Sequence, residues 1–218
     1  MCWICDGSPL SSSEKTGRHG GSLGQFNGRE TFDISLCCIP CSSACPCCLF
    51  TCICFHPIVV YMRHRALNHS RPGSGWSNYI CCQGYYGGCC CIQPGQCCES
   101  TCPCPCMCLE SCCCPGLAVS ATSMVVREKH NLGLDKDDVR LIRCSNCLQI
   151  LSCCCTIIAC LTPNETDDQI ACIFDWFADC VFCSVVSCST AQTYHEIRKR
   201  ERMANSRGRA PTQQRMRR

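Results

Sequence analysis

Charged and uncharged positions are segregated along this chain. Residues 1–33 are rich in Ser and Gly and read as irregular. From Ile34 to Met62 there is no charged residue, and the run closes in a basic cluster. Pro40, Pro46 and Pro57 interrupt any single helix there. Residues 71–96 are a Gly-rich connector, and a second uncharged, cysteine-dense block opens at Cys97. Beyond it the pattern turns helical. A helix is expected over about 115–130 and another over about 136–161. Asp135 stands as the N-cap of the second, acidic residues fill its first turn and Pro163 follows its end. A third begins near Asp167 or Asp168 and runs to about 203. Residues 204–218 are basic, small and polar, so they read as a disordered tail. The whole predicts a mainly α fold, small and irregular, in which cysteine-rich loops separate a few helices.

Two stretches are apolar enough to raise a membrane. Cys144 to Asn164 is uncharged but holds Asn146, Gln149 and several Ser and Thr, and residues 170–193 enclose Asp175 and Asp179. An acid at mid-bilayer is expensive. Contact at a membrane surface, or a re-entrant hairpin, is therefore expected over full spanning. The start of the chain lacks a basic segment followed by an apolar run, and Cys2 stands where myristoylation needs glycine. The expectation is an intracellular protein on the cytosolic face of a membrane.

Composition changes the picture more than length does. Cysteine fills 34 of 218 positions, far above the level that marks a cysteine-built chain. A reducing compartment and the adjacent pairs and triplets (Cys89–Cys91, Cys112–Cys114, Cys153–Cys155) argue against a disulfide framework. Bound metal and lipid modification remain. In "CPCPCMC" the prolines after Cys102 and Cys104 favour extended backbone, which would aim Cys102, Cys104, Cys106 and Cys108 to one side. With Cys97, Cys112, Cys113 and Cys114 these thiols form a candidate ligand pool for zinc or another thiophilic metal. The pairs Cys144-x-x-Cys147 and Cys180-x-x-Cys183, with Cys188, add helical ligand spacings, although small packing residues read the same way. "CWIC" at the start is a further Cys-x-x-Cys. His56 can complete a mixed site, a solvated histidine being the commoner role.

The charge of +3 is unevenly spread: Tyr194 to Arg218 carries nine Lys or Arg against two Glu. Arg198, Lys199, Arg200, Arg202, Arg207, Arg209, Arg215, Arg217 and Arg218 form a candidate docking surface for anionic lipid or an acidic protein partner. Specific nucleic-acid binding is the weakest version, because no aromatics interleave the basic residues. No nucleophile elbow, phosphate loop or HExxH pattern is present, so no enzyme is expected.

Two segments carry a family resemblance. "ESCCCPGLAVSATSMVVREKHNLG" (110–133) and "DCVFCSVVSCSTAQTYHEIRKRE" (179–201) resemble the signatures of the placenta-specific-8 cysteine-rich family, which includes cornifelin and the plant fruit-weight and cadmium-resistance proteins. Cys180, Cys183, Cys188, Gln192, Glu196 and Ile197 match in order. Gln96 and Ala191 stand where the family has cysteine, and residues 134–168 read as an insertion within a domain over 97–203. Residues 34–70 echo the second block as a degenerate internal repeat. The resemblance implies a membrane-associated, cysteine-rich module with links to metal or calcium handling and no catalytic activity. The reading is a non-enzymatic module stapled by a zinc-like ion and aided to the membrane by acylation. Its rivals are a structural component docking through its tail, and a heavy-metal transport or resistance factor.

Overall fold

A computed structural model describes residues 30–85, 95, 98–162 and 164–209, with side chains as far as 206. Outside the described residues lie "CWIC", Cys89–Cys91, Cys97, Arg215, Arg217, Arg218 and the side chains of Arg207 and Arg209. Among the described residues the fold is mainly α, without strands. Six α-helices follow one another: α1 (Cys45–Ile53), α2 (Phe55–Ser70), α3 (Pro103–Cys113), α4 (Pro115–His130), α5 (Lys136–Leu161) and α6 (Glu165–Arg209). Short 3-10 turns lie at Leu36–Cys41, Gly75–Asn78 and Cys81–Gly84.

Local chemistry explains most of the boundaries. Asp135 caps α5 by accepting a 2.8 Å bond from the Asp137 N–H. Asn131, at φ 51°, takes the left-handed conformation that ends α4. The last helix starts at Glu165 and continues to Arg209, past the end expected at 203. One expectation fails outright: "CPCPCMC" is not extended. Pro103 is the first residue of α3 and Pro105 lies in its first turn, where backbone N–H groups have no intrahelical partner to lose. The prolines start the helix instead of preventing it, so Cys102, Cys104, Cys106 and Cys108 do not share one side.

The two cysteine blocks take the same local form. Each opens with Cys-Pro-Cys and makes a short helix. Each then breaks at a cysteine with ψ near 60° (Cys54 and Cys114) and continues as a 16-residue helix, α2 or α4. These two long helices pack together, and their ends meet where His69 Nε2 and His130 Nε2 lie 2.9 Å apart. Val59, Met62, Ala66, Met107, Ala118, Ala121, Val126, Leu132 and Ile197 form the main core between α2, α3, α4 and the second half of α6.

Several signature residues are structural parts of this body. Gln192 donates to Asp138 Oδ2 at 2.7 Å and to Ile34 O at 2.8 Å, while Asp138 Oδ1 accepts from the Leu36 N–H at 2.9 Å. Glu196 is buried and accepts from the Asp33 N–H and from Arg200. Arg127 stacks on Phe32, its guanidinium 3.9 Å from the ring centre, and burial pushes its pKa down to about 10. Together these contacts bind the segment before α1 and the start of α5 onto the second half of α6.

Candidate functional site

Three arrangements on this frame carry chemistry. The first is a buried polar centre between α2, α3 and the turn at Cys81–Gly84. In that turn Cys82 (φ 47°), Gln83 (φ 52°) and Gly84 (φ 69°) are successively left-handed. Each non-glycine position there costs on the order of 1 kcal/mol. The turn is held by its own polar groups. Gln83 accepts from the Ile80 N–H at 2.7 Å and donates to Asn78 O at 3.0 Å. Glu99 accepts from the Cys81 N–H at 2.9 Å.

Glu110 organises the centre. Its Oε2 accepts from the Tyr79 hydroxyl at 2.8 Å and from the Cys82 N–H at 2.9 Å, and its Oε1 accepts from Arg63 Nη2 at 2.5 Å. Arg63 also donates to Ala118 O at 3.2 Å. Burial works against the charge on Arg63, but Glu110 more than restores it. The hydrogen bond with Cys81, burial and the Glu110 charge push the Cys82 thiol up, and burial with Glu110 pushes Tyr79 up. Arg63 Nε and Nη1 are buried without a hydrogen-bond partner.

Cys81 Sγ, Cys82 Sγ and a Glu110 oxygen lie within 4.8 Å of one another, all buried. Two thiols and a carboxylate suit a zinc-like ion. Exchanging two thiol protons for a divalent cation leaves the net charge of the centre unchanged, and it sets a Cys82 thiolate within electrostatic reach of the buried Arg63 guanidinium. The residues therefore fit such an ion.

Sequence reasoning missed this set because its members come from separate elements with no ligand spacing. A signal was present, however. Glu110 is the lone acid between Glu99 and Glu128, and Arg63 is the first charge after a long uncharged run. An isolated charge in an uncharged block needs a partner if it is buried.

The second arrangement is the exposed thiols. Cys104, Cys108 and Cys112 follow one another at successive turns along an exposed side of α3, and Cys112 Sγ lies 3.8 Å from His56 Nδ1. Burial, followed by Cys104 and Cys112, pushes the Cys108 thiol up. Cys102 and Cys113 are exposed at the two ends of this helix, while Cys106 and Cys114 are half-buried against the main core. Cys144, Cys147, Cys180 and Cys183 sit on exposed positions of α5 and α6. Cys188 is buried, its sulfur 3.6 Å from that of Cys48 on α1. In the basic segment, Lys199 pairs with Asp33 at 2.6 Å and Arg200 with Glu196 at 2.7 Å, whereas Arg198 and Arg202 are exposed.

The third arrangement is a helical hairpin. α5 and the first part of α6 run antiparallel, and both are long and apolar enough to cross a membrane. Only 17% and 28% of their apolar windows are buried. Their buried seam is small: Ser145, Ser152 and Ala159 on α5, and Ala171, Ala178 and Val185 on α6, each set at heptad spacing. Ile150, Leu151, Ile157, Ile158, Ile173 and Trp176 project outward, Trp176 being 70% exposed. Polar pairs tie the two helices together, with Ser152 buried and Asp175 exposed. Ser152 Oγ donates to Asp175 at 2.8 Å and Gln149 Nε2 to Asp179 at 3.1 Å. Glu165, Asp167 and Asp168 lie at the tip, and Arg140 and Arg143 at the base.

No family model, curated protein or solved structure matches this chain.

Proposed function

We propose that the protein is a non-enzymatic, membrane-anchored cysteine-rich module of the placenta-specific-8 type. The α5–α6 hairpin enters the bilayer from one side, and the helical body stays at that surface. The observation that carries this reading is the distribution of size over the hairpin: large apolar side chains stand outward, small ones line the seam, and Asp175 and Asp179 are each hydrogen-bonded to the facing helix. That is the packing expected where lipid replaces water, because close approach of small residues and internal polar pairing hold helices together there. The apolar arm Cys144–Leu161 is about 27 Å long at 1.5 Å per residue, close to the roughly 30 Å hydrocarbon core. Arg140 and Arg143 at the base, with no Lys or Arg between Cys144 and Ile197, support a body on the cytosolic side.

A zinc-like ion at Cys81, Cys82 and Glu110 is the proposed staple of the body, supported by their mutual distance, their burial and the buried Arg63 guanidinium within electrostatic reach of Cys82. The resemblance of 110–133 and 179–201 to the family's signatures agrees with this assignment. Membrane fractionation of the full chain tests the anchor: retention in the pellet after alkaline carbonate is expected, and release into the supernatant overturns it. Metal analysis of protein purified without added metal, its exposed thiols first blocked by alkylation, tests the staple. About one equivalent of zinc or a similar ion is expected, and none overturns it.

A further inference from the structure

α1 runs antiparallel to α6. Cys48 lies 3.6 Å from Cys188, and one turn further along α1 Cys52 is within electrostatic reach of Cys183, nearer the hairpin. Helix α1 therefore ends, at Ile53 and Cys54, on the side of the body from which the hairpin leaves. The corner between α3 and α4 reaches the same end. Cys112 sits beside His56 at the start of α2, and Gly116 lies against the Phe182 ring of α6, close enough that a Cβ there would stand 3.4 Å from it.

Two corners far apart in sequence thus present Cys52, Cys54, Cys112 and Cys113 around the base of the hairpin, all exposed. Phe50 and Ile53 beside them are 65% and 80% exposed. Apolar side chains so exposed, at the end of α1 that lies along α6 nearest the hairpin, favour a lipid surface over a protein as their occupant.

We propose that Cys52, Cys54, Cys112 and Cys113 are S-acylated with long-chain fatty acyl groups, forming a lipid collar where the body meets the membrane. The inference rests on the reading that the hairpin enters the bilayer, and it deepens that reading by naming the modified cysteines. In each case the cysteine sulfur attacks the thioester carbonyl of a fatty acyl-coenzyme A. A new S–acyl bond forms, the bond to the coenzyme sulfur breaks, and coenzyme A leaves as its thiol with the proton that the cysteine gave up. There is no redox change. At Cys112, His56 Nδ1 is placed to take that proton. Cys102 and Cys104, at the opposite end of α3, lie about 12–15 Å further from the corner at 1.5 Å per residue. They are exposed yet out of reach of the headgroup level.

The test is hydroxylamine-dependent exchange of acyl groups for a polyethylene-glycol mass tag, on the full chain expressed in eukaryotic cells. Each fraction is also washed with carbonate after hydroxylamine. The wild-type chain is expected to gain tags after hydroxylamine. Joint Cys52→Ser, Cys54→Ser, Cys112→Ser and Cys113→Ser substitution removes at least three-quarters of that signal, and joint Cys102→Ser and Cys104→Ser leaves it within about a tenth. The deacylated wild type stays in the membrane pellet through its hairpin. A wild-type chain that pellets but shows no hydroxylamine-dependent tag, or a signal unchanged in the fourfold variant, overturns the collar while sparing the anchor. Release of the deacylated wild type by carbonate overturns the hairpin anchor and this inference with it.

Discussion

Ser152 Oγ donates a 2.8 Å hydrogen bond to Asp175 across the α5–α6 seam, where Ser152 and Ala178 are both buried. A carboxylate in an apolar hairpin is thereby partnered from within. Asp175 is itself exposed and is tied to the neighbouring helix, and Ile157 and Ile158 stand on the outer side. The hairpin should accordingly be sensitive to charge on its outer face and to bulk on its seam.

Ile150→Arg and Leu151→Arg each place a cation on the outward face near the middle of the α5 arm, where insertion scales put the loss at about 2.5–3.5 kcal/mol for a central position. Together they are expected to shift the chain from the membrane pellet to the soluble fraction in a carbonate wash. An equivalent change at Thr162, beside the polar tip, is expected to leave the distribution unchanged.

Ala178 is fully buried on the seam. Ala178→Leu adds bulk where the helices approach most closely, an overpacking loss of about 1–3 kcal/mol. A lower thermal midpoint in detergent is expected, with Phe177→Leu on the exposed side as the near-neutral control.

Glu110 is the acceptor for Arg63, Tyr79 and the Cys82 N–H. Glu110→Ala leaves a fully buried guanidinium unpaired, so a loss of about 3–5 kcal/mol is expected by denaturant titration. Combining it with Arg63→Met is expected to recover part of that loss, because the uncompensated charge is then gone. Recovery would be incomplete, since Tyr79 and Cys82 still lack their acceptor.

The His69–His130 contact sets a pH dependence. One ring nitrogen donates to the other at 2.9 Å, so the pair holds together with His130 neutral. Burial, then the charges of His69, Arg200 and Lys129, lower His130 from its ordinary 6.5 to about 4, while Glu196 acts the other way. His69 is lowered by burial and Lys129, against Glu201. For a group whose folded pKa lies below the unfolded one, the unfolded state takes up protons first. The contribution is intact above about pH 6.5 and is lost as pH falls towards about 4. The thermal midpoint of the wild type should fall across that window more steeply than that of His130→Gln. Parallel curves would count against the contact.

Alkylation should sort the cysteines by burial. Cys81, Cys82, Cys48 and Cys188 are buried, whereas Cys102, Cys104 and Cys108 are exposed. Brief native treatment with a maleimide is expected to label the second group and spare the first, as read by peptide mass spectrometry. Adding chelator should expose Cys81 and Cys82 to label if an ion holds them.

Much of the fold was written in the sequence where local physics is sufficient. The α5 limits follow from the Asp135 signal, and α4 and α5 alike from uninterrupted helical stretches, which need no distant contact. The heptad set of Ser145, Ser152 and Ala159 could likewise be read along one strand of text. Local rules misled at "CPCPCMC", because a proline at the first helical turn and a proline that blocks helix leave the same dipeptide signature. What only the tertiary structure decided is which isolated polar residues meet. Arg63, Tyr79, Cys82 and Glu110 lie on separate elements, as do Cys52 and Cys112, and no spacing along the chain encodes their distance. Burial makes the first set pair, because an unpartnered charge in a low-dielectric core is too costly to persist. The chain therefore determined its helices and its density of thiols, and the packing of α2, α3 and α6 determined which thiols lie buried beside a carboxylate and which stand at the hairpin's base.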